Sequence, residues 1–180
     1  MFLIKAYLDV KVSRDLFLYN PLLCAVKAKA RKCVEELRKA GGVIDIPQFK
    51  LGKRLYMGVD LCLAAAHGDV EQLRCWEAAG SELIEADYDG RTALHVAVNH
   101  HQIDAVRYLM QQGLDPFVVD DFGTTPMSEA KRKNFKDIIN VINEELAKRK
   151  ASKENDSDSK EKSSAEPSQE QDSAEGTSTQ

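Results

Sequence analysis

The chain has 180 residues, 43% of them hydrophobic, and its 25 Lys and Arg against 29 Asp and Glu give a formal charge of −4, so it can hold one ordinary domain with a real core. Residues 151–180 carry 8 acidic and 3 basic residues, which leaves the preceding body with 21 acidic and 22 basic, a net of +1. A near-neutral body gives no electrostatic reason to expect nucleic acid, and no apolar run approaches the roughly 18 residues that span a bilayer.

Met1-Phe2-Leu3-Ile4-Lys5 lacks the basic leader and longer apolar stretch of a signal peptide, which predicts a cytoplasmic or nuclear protein. Residues 1–19 alternate apolar and charged without a repeat signature and read as a partial unit or N-terminal cap. Beyond them the chain becomes periodic. Ala25 to Gly41, Ala64 to Gly80 and Ala97 to Gly113 each span 16 positions, which sets three helix pairs in register.

Each pair reads as a short inner helix, a tight turn and a longer outer helix whose apolar residues recur at helical spacing, as in Ile103, Val106, Leu109 and Met110. Gly41, Gly80 and Gly113 follow the outer helices, where a left-handed residue satisfies the last carbonyls. The first two units are offset by 39 residues, because Gly41 to Met57 gains six, and this segment reads as a lengthened finger.

The clearest unit is Asp87-Tyr88-Asp89-Gly90-Arg91-Thr92-Ala93-Leu94-His95-Val96-Ala97, and it returns 33 residues later at Asp120-Asp121-Phe122-Gly123-Thr124-Thr125-Pro126 through Ala130. A fixed period of this size marks stacked supersecondary units, which bind more often than they catalyse. Thr92 is a good N-cap for the inner helix, and Pro126 sits at a first helical position where its missing N–H does no harm. Four cysteines, Cys24, Cys33, Cys62 and Cys75, fall inside predicted helices and read as small buried hydrophobes. From Ala151 the chain is Ser, Glu, Asp, Lys, Gln and Thr, too poor in apolar surface to offset its ordering entropy, which predicts a disordered acidic tail.

Gly90-Arg91-Thr92-Ala93-Leu94-His95-Val96-Ala97 resembles the Gly-x-Thr-Pro-Leu-His-x-Ala motif of ankyrin repeats, with Ala93 in place of Pro. The resemblance covers about residues 20–147. It implies L-shaped units, each a β-hairpin finger at right angles to two antiparallel helices, with fingers and inner helices lining a concave face. His101 replaces the usual Gly between helices, Pro116 stands where an apolar residue is common, and Ser128-Glu129 replaces Leu-His in the last unit. Those last changes, with Lys131-Arg132-Lys133 and a long helix near Lys136 to Lys150, suit a polar C-terminal cap.

A finer resemblance runs through Asp60-Leu61-Cys62-Leu63-Ala64, Gly68-Asp69-Val70-Glu71-Gln72-Leu73, Trp76, Ala79-Gly80 and Tyr88 to Ala97. These residues are similar to the ankyrin tail of eukaryotic asparaginase/lysophospholipase enzymes, and Asp87 to Ala97 with Thr125-Pro126-Met127 to that of animal-type glutaminases. Neither family's catalytic motif, Thr-Gly-Gly-Thr or Ser-x-x-Lys, occurs in this chain.

Sharper chemistries are disfavoured. Cys62 and His67 lie five residues apart on a helix, about 500° of turn, so they cannot share a metal with Cys75. A Cys/His nucleophile pair needs an oriented base, and His95 is already committed as the partner of Thr92. Trp76, on an outer helix, reads as core. Asn155-Asp156-Ser157 fits a glycosylation pattern that a chain without a signal peptide never uses, and Ser163-Ser164-Ala165-Glu166 suits an acid-directed kinase no better than chance in a Ser-rich tail.

The expectation is therefore an all-α ankyrin-repeat solenoid of about four helix-turn-helix units, near 20–57, 58–86, 87–119 and 120–150, with short β-hairpin fingers and a disordered tail over 151–180. It is expected to be a scaffold without enzyme activity that binds a protein partner on its concave face through Ala66, His67, Tyr88, Asp89, Arg91, Asn99, His100, Asp121, Phe122, Thr124, Arg132 and Lys133. No cofactor, metal, small-molecule ligand, nucleic acid or membrane is expected. The alternative is a detached regulatory or assembly tail of an amidohydrolase.

Overall fold

The computed structural model of the protein describes residues 21–44 and 50–161, with side chains described for 21–44 and 55–151. The chain divides into two compact units, Met1–Glu145 and Leu146–Gln180. The stack described below lies in the first.

Eight helices are described: α1 (Pro21–Lys27), α2 (Arg31–Lys39), α3 (Lys50–Ala66), α4 (Val70–Ala78), α5 (Ala93–Asn99), α6 (Ile103–Gln111), α7 (Pro126–Arg132) and α8 (Lys136–Glu161). They form four successive pairs. Most are 7 or 9 residues long, below the length at which an isolated helix persists in water, so each depends on its neighbours. The inner helices α3, α5 and α7 pack on one another, as do the outer helices α2, α4 and α6. Leu61, Leu73, Trp76, Leu94, Leu109, Met110, Ile138 and Ile142 are wholly buried between the layers. Trp76 is thus core, as its outer-helix position suggests.

The same turn closes every pair. Lys29, Gly68, His101 and Asn134 all take positive φ, between 55° and 67°, repeating at the 39- and 33-residue spacing. One residue further on, a backbone N–H reaches back to an alanine carbonyl: Ala30 to Ala25, Asp69 to Ala64, Gln102 to Ala97 and Phe135 to Ala130, at 2.9–3.0 Å. These six-to-one bonds cap the inner helices, so the left-handed residue is required even where it is not glycine. Gly41, Gly80 and Gly113 close the outer helices in the same way at φ of 87°, 83° and 92°.

Fingers join successive pairs. In the third unit Asp87 Oδ1 accepts from the N–H groups of Asp89 and Arg91, both at 2.9 Å, and Asp87 N–H donates to Arg91 O at 2.9 Å. In the fourth, Asp120 Oδ1 accepts from Phe122 and Thr124 N–H at 3.0 and 2.7 Å. One aspartate therefore organises each tip. Among the described residues the strand character expected of the fingers is limited to an antiparallel bridge between Ala86 and Thr92.

Three expectations change. Residues Lys50–Met57 of the segment read as a lengthened finger are helical, and make α3 17 residues long against 7 for α5; residues 45–49 lie outside the described residues. The segment is rich in Lys, Arg and Leu, which lose little side-chain freedom in a helix. Helix α8 runs from Lys136 to Glu161, into the first residues of the segment read as a disordered tail; 162–180 lie outside the described residues, as do 1–19. Cys24 and Cys33 are exposed, since their helix faces turn outward, whereas Cys62 and Cys75 are buried. Finally, Ser128 stands opposite His95, so Met127-Ser128 replaces Leu-His. Ser128 Oγ accepts from Thr125 N–H at 2.9 Å and Ser128 N–H donates to Thr125 Oγ1 at 3.0 Å, a reciprocal cap behind Pro126.

Candidate functional site

His95 fixes one wall of the site. Its Nδ1 lies 3.2 Å from Thr92 N and 3.0 Å from Thr92 Oγ1, so it accepts, and the proton sits on Nε2, which donates to Thr124 O in the next finger at 3.2 Å. Burial holds the imidazole below its ordinary pKa, in its neutral form, against the bond to Thr124 and the Asp120 carboxylate, which act the other way. One unit earlier, Cys62 occupies the same register and its thiol donates to Arg91 O at 3.3 Å. Burial pushes that thiol up to about 12, so it remains S–H. The inner helices α3 and α5 are thereby each pinned to the next finger by one buried donor.

These pins set two finger tips side by side. Asp121 N–H donates to Asp89 O at 3.0 Å across the tips. Arg91 Nη2 bonds Asp89 Oδ2 at 2.6 Å, and its guanidinium carbon stands 5.4 Å from the centroid of the Phe122 ring. Tyr88 is 76% exposed and Phe122 69% exposed. Between the tips and the helices lies a groove of about 250 Å³ lined by Arg91, His95, Val96, Asn99, His100, Asp120, Phe122, Thr124 and Glu129.

Of the twelve expected site residues, Arg91, Asn99, His100, Phe122 and Thr124 line this groove. His67 lines a separate opening of about 210 Å³ between α1 and α3, with Lys27, Asp60, Leu63, Ala64, Asp69, Gln72 and Trp76. Tyr88, Asp89 and Asp121 stand on the finger tips.

Ala66, Asn99 and Lys133 also take part in the joints between units, whereas Arg132 bonds within its own helix. Ala66 O accepts from Gln102 Nε2 at 3.0 Å, Asn99 O accepts from Lys133 Nζ at 2.9 Å, and Arg132 Nε donates to Glu129 at 2.9 Å. Short helices leave carbonyls unsatisfied at their C-termini, and the following unit supplies the donors. Gln72 Nε2 to Val26 O at 3.0 Å is the same device at the first joint.

Sequence reasoning missed Val96, Asp120 and Glu129. Val96 stands one helical turn before His100, so the inner-helix period signalled it. Asp120 reads in the sequence as a repeat position, the equivalent of Asp87. Glu129 points inward because Arg132 and Lys133 hold it, an arrangement that also keeps its carboxyl below the usual range.

A family model described as Ankyrin repeats (3 copies) matches residues 61–155. Over 126 residues, 70% of the chain, the sequence is 41% identical to an L-asparaginase of Dirofilaria immitis, covering 20% of that protein. It is 36% identical over 85 residues to the liver isoform of mitochondrial glutaminase from Rattus norvegicus, covering 14% of it. It is 45% identical over 53 residues to the 60 kDa lysophospholipase of Mus musculus, covering 9% of that protein. The chain spans a fifth or less of the length of these relatives, and the likeness to enzymes rests on repeat sequence. Among the described residues, no helix is long and apolar enough to cross a membrane.

Proposed function

Since this chain belongs to the ankyrin-repeat family, a family of protein-interaction modules, we propose that it binds a protein partner on the face made by the third and fourth fingers and the helix α5. The observation that carries the reading is the groove of about 250 Å³ flanked by Phe122, with Tyr88 exposed on the same finger that supplies Arg91. Large aromatics left in water beside a cleft cost solubility, whereas at an interface they are among the residue types that dominate binding energy. The finger backbones are tied by Asp87 and Asp120, so the surface is preformed and loses little ordering entropy on binding. A pull-down with the wild type and with Tyr88→Ala/Arg91→Ala/Phe122→Ala tests it. A partner retained by a triple variant of unchanged circular dichroism would overturn the assignment.

A second reading has its own support in the 41% identity to an L-asparaginase over 70% of the chain. In it the stack is the regulatory or assembly segment of an amidohydrolase. Long-read sequencing of the transcript discriminates: a reading frame joined to a catalytic domain favours this second role, and a stop codon in frame upstream of Met1 removes it.

A further inference from the structure

The body's near-neutral charge conceals three blocks of opposite sign. Residues 21–57 hold 9 basic and 3 acidic residues, 58–130 hold 3 basic and 13 acidic, and 131–150 hold 7 basic and 3 acidic. Part of this is internal docking, for Lys27 pairs with Asp60 and Lys29 with Asp69 across the first joint. The second and third units and the tip of the fourth finger keep a large negative excess, whose only cations are Arg74, Arg91 and Arg107. Clefts in such a surface attract positive charge over about a Debye length.

The groove is lined from that block, with Arg132 and Lys133 of the next block paired to Glu129 at its edge, and the chain already demonstrates what its tips hold. Arg91 is clamped between the Asp89 carboxylate and the Phe122 ring. Phe122 remains 69% exposed with this arginine in place, Tyr88 is exposed on the third finger, and Asp121 makes no ion pair among the described residues. Aromatic faces and carboxylates at one site favour a cation, and a guanidinium most of all, because it stacks and bonds in one plane.

We infer that the occupant of this face is an arginine-bearing, basic polypeptide segment, bound with its cationic side chains against Phe122, Tyr88 and Asp121. The inference rests on the proposed binding face and names the chemistry of its partner.

A random peptide library displayed on phage, panned in parallel on the full chain, on Asp121→Lys/Phe122→Ala and on the Tyr88→Ala/Arg91→Ala/Phe122→Ala variant, tests both layers. The expected result is enrichment of Arg-rich peptides on the wild type. Synthetic copies of them should lose about tenfold or more in affinity to Asp121→Lys/Phe122→Ala, and should weaken as salt rises. Enriched peptides that are acidic or purely apolar, yet lost on the triple variant, overturn the basic-segment inference and leave the face standing. Enrichment that survives the triple variant, or none above an unrelated protein control, overturns both. Circular dichroism of each variant, matching the wild type, excludes unfolding as the cause of lost binding.

Discussion

The helix backbone at Gly58 lies against the carbonyl of Ala86, so near that a β-carbon at Gly58 would stand 1.9 Å from the oxygen. Here α3 meets the base of the third finger, and only hydrogen at that position lets the bridge between Ala86 and Thr92 form.

Gly58→Ala should therefore be far more damaging than its one added methyl suggests. Backbone must move on one side or the other, so we expect a loss of about 3 kcal/mol or more in chemical denaturation. Gly123→Ala is the control: it has positive φ but nothing within 4 Å, and should cost about 1 kcal/mol. Equal losses would mean that the helix and finger do not meet as described.

His95 should make stability pH-dependent. Its folded pKa is depressed, so the unfolded chain binds the proton more readily, and stability rises with pH through this window. On acidification the loss begins below about pH 6.5, the unfolded value, and is complete once pH passes the lower folded value. Protonation also removes the acceptor that Nδ1 offers to Thr92. Urea titrations between pH 7.5 and 5 should show a steeper decline for wild type than for His95→Gln, and parallel curves would refute the role.

The thiols should fall into two classes. Ellman's reagent is expected to label Cys24 and Cys33 in the native protein, and Cys62 and Cys75 only on unfolding. Thiolate is the reactive form, and burial raises the pKa of both inner thiols. Four thiols reacting together at native pH would contradict the packing.

Lys133 ties the last joint by donating to Asn99 O at 2.9 Å and to the Asn99 side chain. Lys133→Met keeps the apolar stem and removes the donor, and should cost about 1 kcal/mol in thermal or urea unfolding. A neutral result would mean water caps that carbonyl equally well.

Much of this was readable in advance because repeats constrain one another. The register of Ala25, Ala64, Ala97 and Ala130 proves to be the register of the inner-helix capping carbonyls, and Gly41, Gly80 and Gly113 close the outer helices. What the sequence hid is cross-unit bonding, since nothing local to Gln102 or Lys133 says that it caps a helix in the preceding unit. The six extra residues before Ala64 were equally ambiguous: inserted length can lengthen a loop or a helix, and here Lys50–Met57 went to the helix. The charge blocks were visible throughout but vanished in the net, which is the wrong quantity for a linear stack.

The long α3 leaves the first joint unlike the others. There α1 packs on α2 and α4 rather than along α3, and an opening of about 210 Å³ bridged by Lys27 and Asp60 stands where inner helices meet elsewhere. In a quasi-one-dimensional array each unit's survival depends on its neighbour interface, and exposed ion pairs contribute little. Unfolding should accordingly travel as a front that enters at the first pair while the pairs beyond it hold.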